Sequence, residues 1–205
     1  MGTRNRMSVA RCCCTCAYEA SDGSAWGPDP FDSLDSGWVN KYPIYDTFTA
    51  DGTLKCTSSG GVSGTWSTLY RTVSVTPANL KVIVECQVYP QDASATAGIF
   101  FVDSNAFRLF ARWPWFDIGL YAFGSYRIVN RTVQAGDKLT LRIEHISGYQ
   151  YRACYFHNQQ LIHQATGTWT FGSSERHGVT CTPATPSLPA VIGQWDNYAC
   201  HVGNP

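Results

Sequence analysis

Four thiols crowd one end of the chain: Cys12-Cys13-Cys14-x-Cys16. Thiolates are soft ligands that suit zinc or an iron–sulfur centre. Structural zinc sites, however, draw cysteine pairs from two separated segments, and adjacent residues do not aim all their sulfurs at one ion. A metal site built here therefore needs Cys12, Cys14 or Cys16 joined by distant Cys181, Cys200, His177 or His201. The competing readings are a buried or interface-facing cysteine patch that includes Cys13, and disulfides formed in an oxidising setting. Cys181 and Cys200 are a second candidate pair near the closing strand.

Glycoside hydrolysis needs two carboxylates across one groove. The chain has four glutamates, Glu19, Glu85, Glu144 and Glu175. Glu85 and Glu144 can face each other across two strands, but neither belongs to an alternating run of carboxylates, and a solvated or ion-paired face is the simpler reading. No catalytic residue is assigned. Asp103, Asn105, Asp117, Asp196 and Asn197 offer the hard oxygens calcium prefers, without the dense acidic loop that gathers them. The five histidines show no His-x-x-x-His pair, and there is no glycine-rich phosphate loop. No cofactor is expected; zinc or calcium would be structural.

Aromatic residues are the stronger clue. Trp113-Pro114-Trp115-Phe116 concentrates rings between two apparent strands, and Tyr149 and Tyr151 sit at alternate positions that line one sheet face. Three readings stand: core packing, a subunit interface, or stacking against the apolar face of a sugar.

The elements that must position these residues read as strands. Leu139, Leu141 and Ile143 alternate with Thr140, Arg142 and Glu144; Tyr151, Ala153 and Tyr155 alternate with Arg152, Cys154 and Phe156. With turns at Ser147-Gly148 and Asn158-Gln159-Gln160, residues 139–164 form a three-stranded meander. Leu80 to Tyr89 is apolar on both faces and is expected centrally in a sheet. Further strands are expected at 44–48, after Asp51-Gly52, at 66–75, 97–102, 106–111, 116–123 and 126–133, briefly at 168–171, and at 191–195 and 198–202. No long amphipathic helix is present, so the fold class is all-β, an antiparallel sandwich or barrel.

Charged residues are 15% of the chain and aromatics 14%, with Lys+Arg and Asp+Glu balanced at 15 each. A zero net charge removes global attraction to nucleic acid or an anionic membrane, and no apolar run reaches the length of a membrane span. Low charge with many rings suits a protein held in an assembly. The first residues lack the apolar core of a secretory signal, so reduced thiols are the default expectation. Residues 1–28 read as a Cys-rich extension making assembly contacts, through Cys13, Tyr18 and Trp26, and residues 29–205 as the folded body.

Asp29-Pro30-Phe31-Asp32 with Leu34 and Gly37-Trp38 resembles the opening of concanavalin A-like or laminin-G-like jelly-roll domains. Gly193-Gln194-Trp195-Asp196-Asn197-Tyr198 resembles their closing strand, and Lys138 to Ile162 their central hairpin. The resemblance implies a jelly-roll sandwich over residues 29–203 with its first and last strands side by side. Such domains occur in lectins, glucanases and phage virion proteins. The family's catalytic carboxylate pattern is absent. The expected role is a non-enzymatic structural or adhesive component of a larger particle, a phage virion or tail protein that partners other subunits. The alternatives are a glycan-binding lectin-like module, with the protein cytoplasmic or extracellular, and a glycoside hydrolase.

Overall fold

The computed structural model describes residues 16–20, 25–43, 46–58, 66–89, 95–103, 105–112, 115, 117–183 and 190–203. Fifteen strands run through them: β1 (Trp26–Asp29), β2 (Val39–Asn40), β3 (Asp46–Ala50), β4 (Leu54–Ser58), β5 (Ser67–Ser74), β6 (Lys81–Val88), β7 (Ala95–Phe101), β8 (Phe107–Arg112), β9 (Asp117–Ala122), β10 (Ser125–Val129), β11 (Asp137–Ser147), β12 (Gln150–His157), β13 (Gln160–Thr168), β14 (Ser174–Pro183) and β15 (Ala190–Gly203). One 3-10 turn, Pro77–Asn79, links β5 to β6. The first sheet runs β13-β12-β11-β6-β15-β4-β3, with β1 also on β15; the second runs β10-β9-β8-β7-β14-β5-β2. Every pairing is antiparallel.

Alternation fixes which face each strand buries. Val82, Val84, Cys86 and Val88 of β6, Leu139, Leu141 and Ile143 of β11, and Tyr151, Ala153 and Tyr155 of β12 meet Ala97, Ile99 and Phe101 of β7 and Phe107, Leu109 and Ala111 of β8 in one core. Each large side chain so buried is worth roughly 1.5–3 kcal/mol, and a one-residue slip would turn the whole set outward. The expected meander is present as β11-β12-β13, closed by Asn158 and Gln159 in left-handed conformation. β6 lies between β11 and β15 as a central strand. The opening and closing strands lie together, with Trp26 opposite Cys200.

Four expectations change. The two closing strands are one, β15, because a bulge at Asp196–Ala199 with Asn197 left-handed adds a residue without breaking the ladder. Trp195 and Tyr198, three apart, therefore both point inward. β14, unforeseen, is the strand between β7 and β5. Residues 169–171 follow β13 without forming a strand. The boundary expected at residue 28 falls inside β1, whose ladder to β15 makes Trp26 part of the sandwich.

The described part of the N-terminal extension lies against its own domain. Cys16 is disulfide-bonded to Cys154 on the outer face of the first sheet. Tyr18 packs edge-on against Phe156 at 5.6 Å. Glu19 pairs with Lys81, and the Ala17 carbonyl accepts a hydrogen bond from Arg142 at 2.7 Å. Trp26 packs on Trp38, with the Arg71 guanidinium 3.2 Å from its ring centroid. Tyr18 and Trp26, expected at a subunit contact, are thus engaged within the chain, and Cys13 lies outside the described residues.

Candidate functional site

The outer face of the second sheet gathers rings and cations. Strands β7, β8 and β9 send every second residue into the core between the sheets, so the alternate set lies on the outer face. The register lines these up across the sheet: Tyr126 opposite Tyr121, Tyr121 opposite Arg108, Arg108 opposite Phe100, Phe100 opposite Gly178, and Gly178 opposite Tyr70. The next row places Ile128, Gly119, Phe110, Gly98, Thr180 and Thr68 in line. The end of the Phe110 ring lies against Gly119, where a Cβ would run into it.

Arg108 is the centre of this arrangement. Its side chain is 0% exposed. Its Cζ is 3.2 Å from the Trp66 ring centroid, 4.4 Å from Tyr121 and 4.8 Å from Phe110. Its three guanidinium nitrogens make no hydrogen bond with the described residues. Burial pulls the guanidinium down to about 9, partly offset by Tyr121, so it remains a cation at neutral pH. The rings attract it, yet the Tyr121 hydroxyl is the one acceptor they offer its five donors.

The neighbouring cation is fully matched. Arg112 donates to Asp117 through Nε at 2.5 Å and Nη2 at 2.7 Å, and to the Tyr126 hydroxyl through Nη1 at 3.0 Å. The hydrogen bond to Asp117 raises its already high pKa. Trp115, 61% exposed, has its ring centroid 5.0 Å from the Arg112 Cζ. Beside it opens a cleft of about 270 Å³ lined by Trp115, Asp117, Asn130, Arg131 and Thr132.

An unpaired buried cation is a liability that a thioether would remove. Arg108→Met keeps contact with the rings and deletes the charge. It is expected to raise the unfolding free energy by about 1 kcal/mol, following the behaviour of buried ions replaced by apolar groups. Thermal melting at pH 7 checks this, and a fall of several degrees would make Arg108 a structural keystone instead.

Of the other residues singled out from sequence, Trp113 and Phe116 lie outside the described residues. Tyr149 and Tyr151 do not share a face. Gly148 and Tyr149 form the turn after β11, which leaves Tyr149 69% exposed beside Thr168, Trp169 and Thr170 in an open cleft of about 500 Å³. Tyr151 is 1% exposed, its ring against Phe171 and its hydroxyl donating to the Pro77 carbonyl, so it belongs to the core and not to a binding surface.

The metal reading loses a ligand because Cys16 is bonded to Cys154; Cys12 and Cys14 lie outside the described residues. The same bond corrects the expectation of reduced thiols. Cys181 lies beside Cys56, not Cys200, and all three are buried free thiols. The oxygens considered for calcium are spent separately. Asp103 caps its own turn through the Asn105 and Ala106 amides, Asp117 holds Arg112, and Asn197 donates to Gln87. Glu85 and Glu144 lie on the outer face of the first sheet, bonded to Lys138 and Arg142 respectively, with Glu144 opposite Lys81 and not Glu85.

No protein-family model and no curated protein matches this chain. Its likeness is to solved structures. The carbohydrate recognition domain of Emp47p matches with TM-score 0.55 and 11% identity over 86% of this chain and 93% of that one. A Bacillus licheniformis β-glucanase matches at 0.52 and 12%, over 84% and 95%. The CBM2 module of the evolved Dit of Lactobacillus casei BL23 phage J-1 matches at 0.50 and 12%, over 83% and 92%. A sialidase also matches, at 0.50 and 14%, but this chain spans only 17% of its length. Enzymes and non-enzymatic modules thus share this architecture. Two antiparallel sheets face to face, first strand beside last, and these structural likenesses give the chain the fold of a concanavalin A-like jelly-roll sandwich.

Proposed function

We propose that this chain is a non-catalytic glycan-binding module that gives adhesion to a larger particle, with the outer face of the second sheet as its binding face. The observation that carries this reading is the outward row of exposed Tyr126 and half-buried Tyr121 and Tyr70, with Arg108 and Phe100 buried between them, flanked by exposed Trp115. Aromatic faces stack on the apolar faces of sugars, while a few convergent polar groups fix their orientation. Here those groups are Arg112, Asp117 and the hydrogen-bonded pair Thr96 and Thr182. The carboxylates described on this face, Asp117 and Asp103, hold an arginine and a turn, which leaves neither poised as an acid or a base.

Trp115→Ala removes an exposed ring and should leave the melting temperature unchanged, whereas Tyr126→Ala also gives up the Arg112 hydrogen bond and the contacts with Phe110 and Tyr121 and should lower it slightly. Each is expected to weaken glycan binding about tenfold, the effect of losing one stacking contact of roughly 1.4 kcal/mol. A glycan array followed by calorimetry on the hits checks both. Absence of binding to any glycan by the unsubstituted chain would overturn the reading.

The virion setting draws support from the likeness to a phage module. In that setting the partners are protein subunits, reached through the N-terminal extension. Light scattering of the full chain beside one lacking residues 1–15 tests it: an oligomer that becomes a monomer supports the assembly role, and two monomers oppose self-assembly through that arm.

A further inference from the structure

We propose that the glycan held on this face is acidic, and that Arg108 receives a carboxylate carried by one of its sugars. The inference rests on the glycan-binding reading above and names the class of glycan.

Arg108 stands apart from the other largely buried cations among the described residues. Arg71 pairs with Asp35, Lys81 with Glu19, Arg112 with Asp117, Lys138 with Glu85 and Arg142 with Glu144. Arg108 is more deeply buried than any of these and pairs with no carboxylate among the described residues. Of the carboxylates described on this face, Asp117 is committed to Arg112 and Asp103 to its own turn. A guanidinium fork matches a planar carboxylate through two parallel hydrogen bonds. A buried fork with no carboxylate among the described residues is therefore an incomplete pair.

The surroundings say what carries the missing member. Rings of Trp66, Tyr121 and Phe110 surround the guanidinium, and Tyr126 continues the aromatic row beyond Tyr121. A free inorganic anion has no use for such walls, whereas a pyranose ring does. Trp66 is half-buried, and its ring covers the guanidinium. Binding turns that ring from the cation onto the sugar, so the stacking contact is kept while the fork is uncovered.

The row stays positive away from Arg108. Three strand spacings on, about 14 Å, Tyr70 lies in a cleft with Lys41, Thr68, Phe100, Asp103 and Arg176, two cations to one carboxylate. Arg176 stacks near Tyr70, with its Cζ 4.8 Å from the ring centroid. An acidic oligosaccharide laid along the row meets a cation beside an aromatic ring at both ends.

Calorimetry of the full chain against a panel of hexasaccharides of glucuronate, galacturonate, mannuronate and guluronate tests the assignment, with each sugar also presented after reduction of its carboxyl to a neutral alcohol. One acidic member is expected to bind at least tenfold tighter than its reduced form, a comparison that needs no variant. Arg108→Met is expected to abolish that preference, and Arg108→Lys, which keeps the charge without the fork, to restore it only in part. Equal binding of acidic and reduced forms, or full acidic preference in Arg108→Met, would overturn the carboxylate assignment and leave the glycan face standing. Preference for sulfated or phosphorylated glycans over every uronate would overturn it in favour of a different anion. Failure to bind this panel or any neutral glycan overturns both readings together.

Discussion

Replacing Cys16 by Ala, or reducing its bond to Cys154, is expected to lower the unfolding free energy by about 2–4 kcal/mol. The bond joins residues 138 apart in sequence, so it encloses most of the chain and removes much of the freedom of the unfolded state. The other ties on residues 16–20 do not replace it. The Glu19–Lys81 pair is partly exposed and contributes little, and the Tyr18–Phe156 contact is a single edge-on ring pair. Without the bond, this strap leaves the outer face of the first sheet and uncovers Cys154 and Phe156, both buried beneath it. Urea unfolding with and without reductant checks the effect. Cys16→Ala should be less stable than the unsubstituted protein and insensitive to reductant at this bond, since Cys56, Cys86, Cys181 and Cys200 are already free thiols. Superposable curves would refute stapling. Glycan binding should survive the substitution, because the strap and the aromatic row lie on opposite sheets.

The sequence was most legible where apolar residues alternate without interruption. Val82, Val84, Cys86 and Val88, or Leu139, Leu141 and Ile143, announce both a strand and its buried face. β14 hides because its inward set is His177, Val179 and Cys181, alternating with Arg176, Gly178 and Thr180. A histidine reads as solvent-facing until Tyr198, from a distant strand, supplies its partner. The site was half visible for a related reason. Trp115 belongs to a local run of rings, and local runs can be read. Arg108 alternates with Phe107 and Leu109 as an exposed residue would, and the rings of Tyr121, from the paired strand, and of Trp66, distant in sequence, cover it. The alternation of Tyr151 with Ala153 and Tyr155 was correct, but periodicity separates two faces without saying which one is inside. The partner of Cys16 had no local signal at all, since pairing at long range is a property of the fold.

Below neutral pH the protein is expected to lose about 3 kcal/mol of stability through His177 alone. This imidazole sits between the sheets with Nδ1 2.6 Å from the Tyr198 hydroxyl, its ring stacked on that of Tyr198. Burial, assisted by the Arg71 guanidinium, pulls its pKa from the ordinary 6.5 down to about 4. The unfolded chain takes up a proton as pH falls through 6.5, whereas the folded chain resists until about 4. Stability from this group is therefore complete above 6.5 and is lost between 6.5 and 4 at about 1.4 kcal/mol per pH unit. Asp137 adds to the loss at lower pH. Burial opposes its ionisation, but hydrogen bonds from Asn158, Gln134 and His157 outweigh that and hold its pKa low, so its contribution fades only as those carboxylate bonds are protonated away. The two can be separated by range and by substitution. His177→Gln keeps a hydrogen-bonding group for Tyr198 and cannot be protonated, so its urea midpoint should fall less steeply between pH 7 and 5 than that of the unsubstituted protein, the remaining slope coming from His163, whose pKa burial also lowers. Parallel slopes in the two proteins would mean that the imidazole is already solvated in the folded state.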